Sequence, residues 1–216
     1  MTRARGPRIL KGALVTIDPT DPTPRVIAFT YNPSTLKRSL QPQMVGGEDN
    51  AQSSAVRFTG APAQTITIEI ELDASDDIGS GKSAALQYAV LPQLAALELL
   101  VYPALAAVNE AQKQLASGVM EIAPLTAPRT LFVWGQKRVL PVRIASYEIN
   151  EEFFDTRLNP IRATVTLAMR VLTYTDVSAD NHAYFTFTAY QQALNTIAGQ
   201  ATGSTTPLIG VDSGGL

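Results

Sequence analysis

Residues 65–73 read TITIEIELD, and the reading of this stretch decides the fold. Ile66, Ile68, Ile70 and Leu72 fall on one side of an extended chain, and Thr65, Thr67, Glu69, Glu71 and Asp73 on the other. Successive strand residues point to opposite faces, so alternation this regular marks a sheet with one buried face and one wet face. Residues 161–173, IRATVTLAMRVLT, repeat it, setting Ile161, Ala163, Val165, Leu167, Met169 and Val171 against Arg162, Thr164, Thr166 and Arg170. Further strands are expected at 9–17 and 25–31, joined by the proline-rich turn DPTDPTP, and at 130–134 and 138–149. Residues 34–64 are polar and read as a long loop, with 37–57 too polar for a core and suited to an inter-subunit or inter-ring contact.

Helical signals lie between and after these strands. Pro92 suits a first helical turn, Leu94, Leu97 and Val101 form a stripe, and Pro103 ends the run. A second helix fits 104–117, with Leu105, Val108 and Leu115 on one side and Gly118 as its stop. A last helix over about 181–198 carries Ala183, Phe187, Tyr190, Leu194 and Ile197, with Gly199 as its cap and a small, polar tail beyond it. Strands, then helices, then strands and a helix argue for an antiparallel α+β fold and against a βαβ nucleotide-binding sheet.

Composition narrows the function. The chain has 216 residues, 45% hydrophobic and 17% charged, with a net charge of −2. That balance suits a globular domain with neutral surface left for subunit contacts, and it offers no electrostatic case for nucleic acid. The absence of cysteine excludes disulfides, thiolate catalysis and Cys-ligated zinc. The opening MTRARGPRILKG has four basic residues and no following apolar run of signal-peptide length, and no segment reaches the ~20 apolar residues of a membrane span. A cytoplasmic product without stable membrane insertion is expected.

GSGKS, residues 79–83, resembles the second half of a P-loop. Gly81, Lys82 and Ser83 fit G-x-x-x-x-G-K-[ST], but Asp76 stands where the first glycine belongs. Asp73, Asp76 and Asp77 would set carboxylates beside an incoming phosphate, and the only Walker-B-like run, LVTID ending at Asp18, lies upstream. A flexible turn between strand and helix is the better reading. The single histidine, His182, rules out a two-histidine metal site and reads as part of a capping turn. No G-x-S-x-G elbow surrounds a serine. Glu69/Glu71 read as a solvated or subunit-facing stripe, and Glu151/Glu152 as part of a turn before Phe153 and Phe154. The expectation is a non-enzyme with no catalytic residue, metal or cofactor. Phe132, Trp134, Phe153 and Phe154 divide between core and subunit contact, where aromatics concentrate.

One resemblance covers most of residues 9–173. AFTYNPSTLKRSLQPQ (28–43) matches an F-x-(F/Y)-N-P-x-x-(L/Y) opening through Phe29, Tyr31, Asn32, Pro33 and Leu36. RFTGAPAQTITIEIELDASD (57–76), LPQLAALELLVYP (91–103), TLFVWGQKRVLPVRI (130–144) and FFDTRLNPIRATVTLAMRVL (153–172) follow in the same order. Together they resemble the tube-like baseplate proteins of contractile injection systems, the family of LysM-containing tube-initiator adaptors, here with no LysM-like segment after 173.

The resemblance implies a split β-barrel of two packed antiparallel sheets, assembled as a homo-hexameric ring. Such a ring joins the inner tube to the spike or hub protein beside other baseplate subunits, in a particle assembled in the cytoplasm and in some systems released from the cell. It implies a tube-like domain at 1–176 with a helical insertion around 84–118, a C-terminal helix at 177–199 and a flexible tail at 200–216. Interface candidates are Phe29, Tyr31, Asn32, Pro33, Glu69, Glu71, Trp134 and Arg162. Alternatives are an inner-tube or tube-end subunit, a cell-wall or ligand-binding adaptor, and a nucleotide-dependent enzyme.

Overall fold

The computed structural model describes residues 10–17, 23–45, 57–118 and 128–201. Six strands, four helices, three strands and a last helix follow along them: β1 (Ala13–Ile17), β2 (Arg25–Ala28), β3 (Leu36–Gln41), β4 (Met44–Val45), β5 (Arg57–Phe58), β6 (Ala63–Asp73), α1 (Ser75–Gly79), α2 (Ser83–Tyr88), α3 (Leu91–Glu98), α4 (Leu105–Ala116), β7 (Arg129–Val133), β8 (Val139–Phe154), β9 (Pro160–Val171) and α5 (His182–Ala201). Seven strands form one antiparallel sheet in the order β2-β1-β7-β8-β9-β6-β3, and β4 and β5 pair separately. The two packed sheets of the expected split barrel are thus, among the described residues, one continuous sheet and a short hairpin.

The alternation in TITIEIELD maps directly onto burial. Ile66, Ile68, Ile70 and Leu72 are at most 3% exposed, as are Ala163, Val165, Leu167, Met169 and Val171 on the neighbouring strand. Register sets Ile66 opposite Met169, Ile68 opposite Leu167 and Ile70 opposite Val165. The α-helical layer seals this face through Leu94 and Leu97 of α3 and Phe187 and Tyr190 of α5. At roughly 1.5–3 kcal/mol for each fully buried large aliphatic or aromatic side chain, this face dominates the fold's stability.

β8 runs 16 residues and belongs to both halves of the sheet. Its register against β9 shifts between Ile144 and Ser146, a bulge at Ala145. Before the bulge the even positions Leu140 and Val142 are buried. After it the odd positions Tyr147 and Ile149 pack toward the core.

Several expectations need correction. Residues 36–41 are not loop: β3 is an edge strand paired with β6 through Leu36–Ile68, Arg38–Ile66 and Leu40–Gln64. An edge strand pairs on one side only and tolerates the charges of Lys37 and Arg38. Glu151 and Glu152 lie in β8, not in a turn, paired with Ala163 and Arg162. Val101 is 46% exposed, and Leu100 takes its place in the core because α3 ends at Glu98 and the chain tightens through Leu99 and Leu100. Gly199 does not cap α5, which continues to Ala201. Leu105 and Leu115 of α4 are 72% and 55% exposed, and no α4 residue is buried. Gly118, at φ 86°, does follow the end of α4. Most of the DPTDPTP turn, residues 46–56 of the long loop, and the tail from 202 lie outside the described residues.

Candidate functional site

The uncovered face of the sheet is a polar ladder built by register. Across β8, β9 and β6 its rows read Arg143–Arg170–Thr65, Ser146–Ala168–Thr67, Glu148–Thr166–Glu69, Asn150–Thr164–Glu71 and Glu152–Arg162–Asp73. β3 extends the first two rows with Ser39 and Lys37. Alternation that buries isoleucine on one side sets hydroxyls, carboxylates and guanidinium groups on the other.

The last row is the best organised. Arg162 donates from Nε and Nη2 to Oδ2 of Asp73 at 3.0 and 2.7 Å, and its guanidinium lies 5.5 Å from the Phe153 ring centroid. Hydrogen bonds from Ser75, with the Arg162 charge behind them, hold the Asp73 carboxyl below its ordinary range. The same carboxylate pushes Arg162 further up. Tyr31, 50% exposed, closes a shallow concavity of about 410 Å³ with Glu71, Asp73, Glu152, Arg162 and Thr164.

Beyond this row the β8–β9 hairpin turns through Asp155–Asn159. Leu158 N–H donates to the Asp155 carbonyl and Asp155 N–H to that of Asn159, a three-residue loop whose last position is left-handed. Leu158 occupies that position at φ 63°, and Phe153 sits at φ 55°. A left-handed conformation costs an ordinary side chain about 1–2 kcal/mol, which is why glycine is usual there. The Asp155 carboxylate accepts from the N–H groups of Arg157 and Asn159 and from Asn159 Nδ2, at 2.7–2.8 Å. Asn159, then Arg157, lower its pKa. Asn159 also donates to the Gln87 carbonyl, tying the hairpin to α2.

The sequence-derived candidates fall into two groups. Tyr31, Glu71 and Arg162 meet in the concavity, with Glu69 next on the ladder. Phe29, Asn32 and Trp134 instead build the frame, and Pro33 lies half-buried beside them. Phe29 is 1% exposed, so its surface is spent inside the chain. Trp134 stacks on Phe132 at 5.9 Å and tilts against Phe29. Asn32 imitates a strand rung: its Oδ1 accepts from Gly12 N–H at 2.8 Å and its Nδ2 donates to the Leu10 carbonyl at 2.9 Å. Phe153 and Phe154 are 65% and 52% exposed.

The P-loop-like segment forms a turn between two short helices. Lys82 Nζ is taken by Asp77 at 2.6 Å, and Gly81 supplies a left-handed φ of 75°. His182 opens α5, and the cap is its neighbour Asn181, whose Oδ1 accepts from Ala183 N–H at 2.9 Å. Sequence reasoning passed over Arg38, which donates to the Tyr190 hydroxyl at 3.0 Å and, with the Gln64 amide oriented to accept, to Gln64 at 3.1 Å. An arginine in a polar run carries no sign of a partner 152 residues away. Among the described residues no helix is long and apolar enough to cross a membrane.

No curated protein gives a significant match. Among solved structures, a chain from the tail of an empty GTA particle with C6 symmetry is 13% identical, covering 74% of this chain and 90% of that one, at a TM-score of 0.29. A chain from the six-fold symmetrised baseplate of the anti-feeding prophage is 12% identical, covering 78% and 94%, also at 0.29. Superpositions that loose decide nothing about architecture. The family profile described as contractile injection system tube protein matches residues 14–176. That span takes in the whole seven-stranded sheet apart from Ala13, and the chain belongs to the contractile injection system tube protein family.

Proposed function

We propose that this protein is a structural subunit forming a hexameric ring at the baseplate of a contractile injection particle, where it joins the inner tube to the spike hub. The observation that carries the reading is the one-sidedness of the sheet. One face is sealed by α3 and α5, while the other is a continuous ladder of Thr, Ser, Glu and Arg. A face of that kind suits the wet wall of a channel, with the apolar side turned into the subunit. β3 ends the sheet with one ladder partner, and ring closure by a neighbour would complete such an edge.

On this reading the domain comprises residues 1–176 with a helical insertion, and α5 (His182–Ala201), which starts later and ends later than the expected 177–199, braces it. Tyr31, Glu69, Glu71 and Arg162 face the channel or a neighbour. The helical excursion over α2–α4 favours a specialised ring over a repeating tube subunit. The family's own description as tube protein favours the second reading, an inner-tube or tube-end subunit.

Cryo-electron microscopy of purified particles, with this chain tagged, separates the two. The adaptor reading expects a single six-membered ring touching the spike. Rings repeated along the tube would replace it with the second reading, and absence from the particle would overturn both.

A further inference from the structure

The β8–β9 hairpin tip presents three large apolar side chains that the described residues leave uncovered: Phe153, Phe154 and Leu158, at 65%, 52% and 79% exposure. They are held stiffly. The Asp155 carboxylate pins the loop, Asn159 anchors it to α2, Val90 N–H donates to the Pro160 carbonyl, and Arg162 lies against Phe153. Phe153 and Leu158 also keep left-handed backbone angles that glycine would take without strain. Bulky apolar groups held exposed at such positions mark a contact surface.

The opposite end of the β6–β9 pair carries a receptive feature. A groove of about 420 Å³ lies between β3, β5 and α5, lined by Leu40, Phe58, Tyr174, Phe187, Tyr190 and Leu194. Leu40, Phe58 and Leu194 leave 48%, 69% and 42% of their surface open. The groove borders Gln64 at the start of β6, whereas the tip continues from Asp73 and Arg162 at its end. Tip and groove are therefore about 36 Å apart along an 11-residue strand.

Charge runs in the same direction. The tip half carries Glu69, Glu71, Glu148, Glu151 and Glu152, while Arg162 is taken by Asp73 and Arg157 lies beside Asp155. The groove half carries Lys37, Arg38 and Arg143, with Arg170 engaged by Asp176 at 3.0 Å. Copies placed end to end thus bring an acidic half against a basic half and an apolar tip against an apolar groove. A contact between two different patches on identical chains is heterologous, and because these two patches lie at opposite ends of one strand pair it stacks copies end to end along the strand direction.

From this we infer that the tip Phe153–Phe154–Leu158 of one copy seats in the α5–β3 groove of the next copy along the particle axis. The inference rests on the second reading above, a tube-type subunit whose rings repeat along the axis, for which it supplies the axial contact; a single adaptor ring has no next copy to receive the tip.

The absence of cysteine makes the test clean. Full-length Leu158→Cys and Leu194→Cys chains, mixed at high concentration and oxidised, should yield a 158–194 disulfide dimer that neither variant forms alone. In parallel, Leu158→Gly should weaken self-association at least tenfold by light scattering, while its unfolding midpoint stays level or rises because glycine relieves the left-handed strain. Four outcomes overturn the inference: only 158–158 products, association unchanged by Leu158→Gly, no self-association up to the solubility limit, or tip-dependent capture by phosphatidylserine vesicles instead of by copies. Six-membered rings without the 158–194 product would sink the axial contact and leave the ring reading intact. The disulfide without rings would do the reverse.

Discussion

The central strands and helix α4 show the same sequence signal with opposite outcomes. In β6 and β9 every second residue is apolar, and those residues are buried almost completely by neighbouring strands and by α3 and α5. In α4, Leu105, Val108 and Leu115 follow a helical stripe just as legible, yet none is buried among the described residues. Twelve residues are at the lower limit of what holds a helix together in water without tertiary packing. Periodicity thus tells which face of an element is apolar. It does not tell whether the chain itself covers that face.

Mutations should expose the difference in size. Leu167→Ala, at the 0% exposed centre of the sheet, should lower the unfolding free energy by about 2–5 kcal/mol in urea titration. A loss under 1 kcal/mol would mean the central face is less tightly filled than described. Gly12→Ala tests the aromatic frame, because a Cβ there would come within 2.8 Å of Phe29 and Trp134 ring carbons. We expect a loss of about 1–3 kcal/mol from overpacking, with altered tryptophan fluorescence as the local readout.

Acid should act on the wet face before it acts on the core. Asp73, Asp155 and Asp176 all have lowered pKa values. For Asp176 burial pushes upward, but hydrogen bonds from Thr173 and the Arg170 charge outweigh it. A carboxyl whose folded value lies below its unfolded value of about 3.9 stabilises fully above that value and loses the contribution as pH falls through the folded one. Stability should therefore be flat from neutral pH to about 5 and decline below 4, and Asp73→Asn should flatten the decline. The smallest effect belongs to α4: Leu105→Ser and Leu115→Ser should each change the stability of the isolated chain by no more than about 0.5 kcal/mol. A loss of 2 kcal/mol would show that the chain does bury this stripe, and the contrast with β9 would collapse.

What was legible in the sequence follows the same division. TITIEIELD and IRATVTLAMRVLT gave their strands, their buried sets and their polar faces, because both sit centrally with one face covered. β3 was not legible, since LKRSLQ pairs along one side only and takes its order from β6. Of the candidate site, Glu69, Glu71 and Arg162 could be placed on the wet face from parity alone. Their convergence with Tyr31 could not, because it depends on where a loop some forty residues upstream comes to rest. Asn32 and Phe29, singled out as motif residues for an interface, shape the frame around Gly12, whereas Tyr31 of the same motif is exposed on the concavity.

The irregularity at Ala145 gives β8 one point, and only one, at which its length can change by a residue. Excising Ala145 would leave Ser146 directly after Ile144, the two opposite Ala168 and Met169 as before, so the strand would become regular and no side chain would change face. Excising a residue within 146–150 would instead turn over a run of side chains on one side of the cut, or make the pairing with β9 slip. Substitutions there can be absorbed one side chain at a time. Among homologues, gaps in this strand should gather at Ala145 and be rare elsewhere along it.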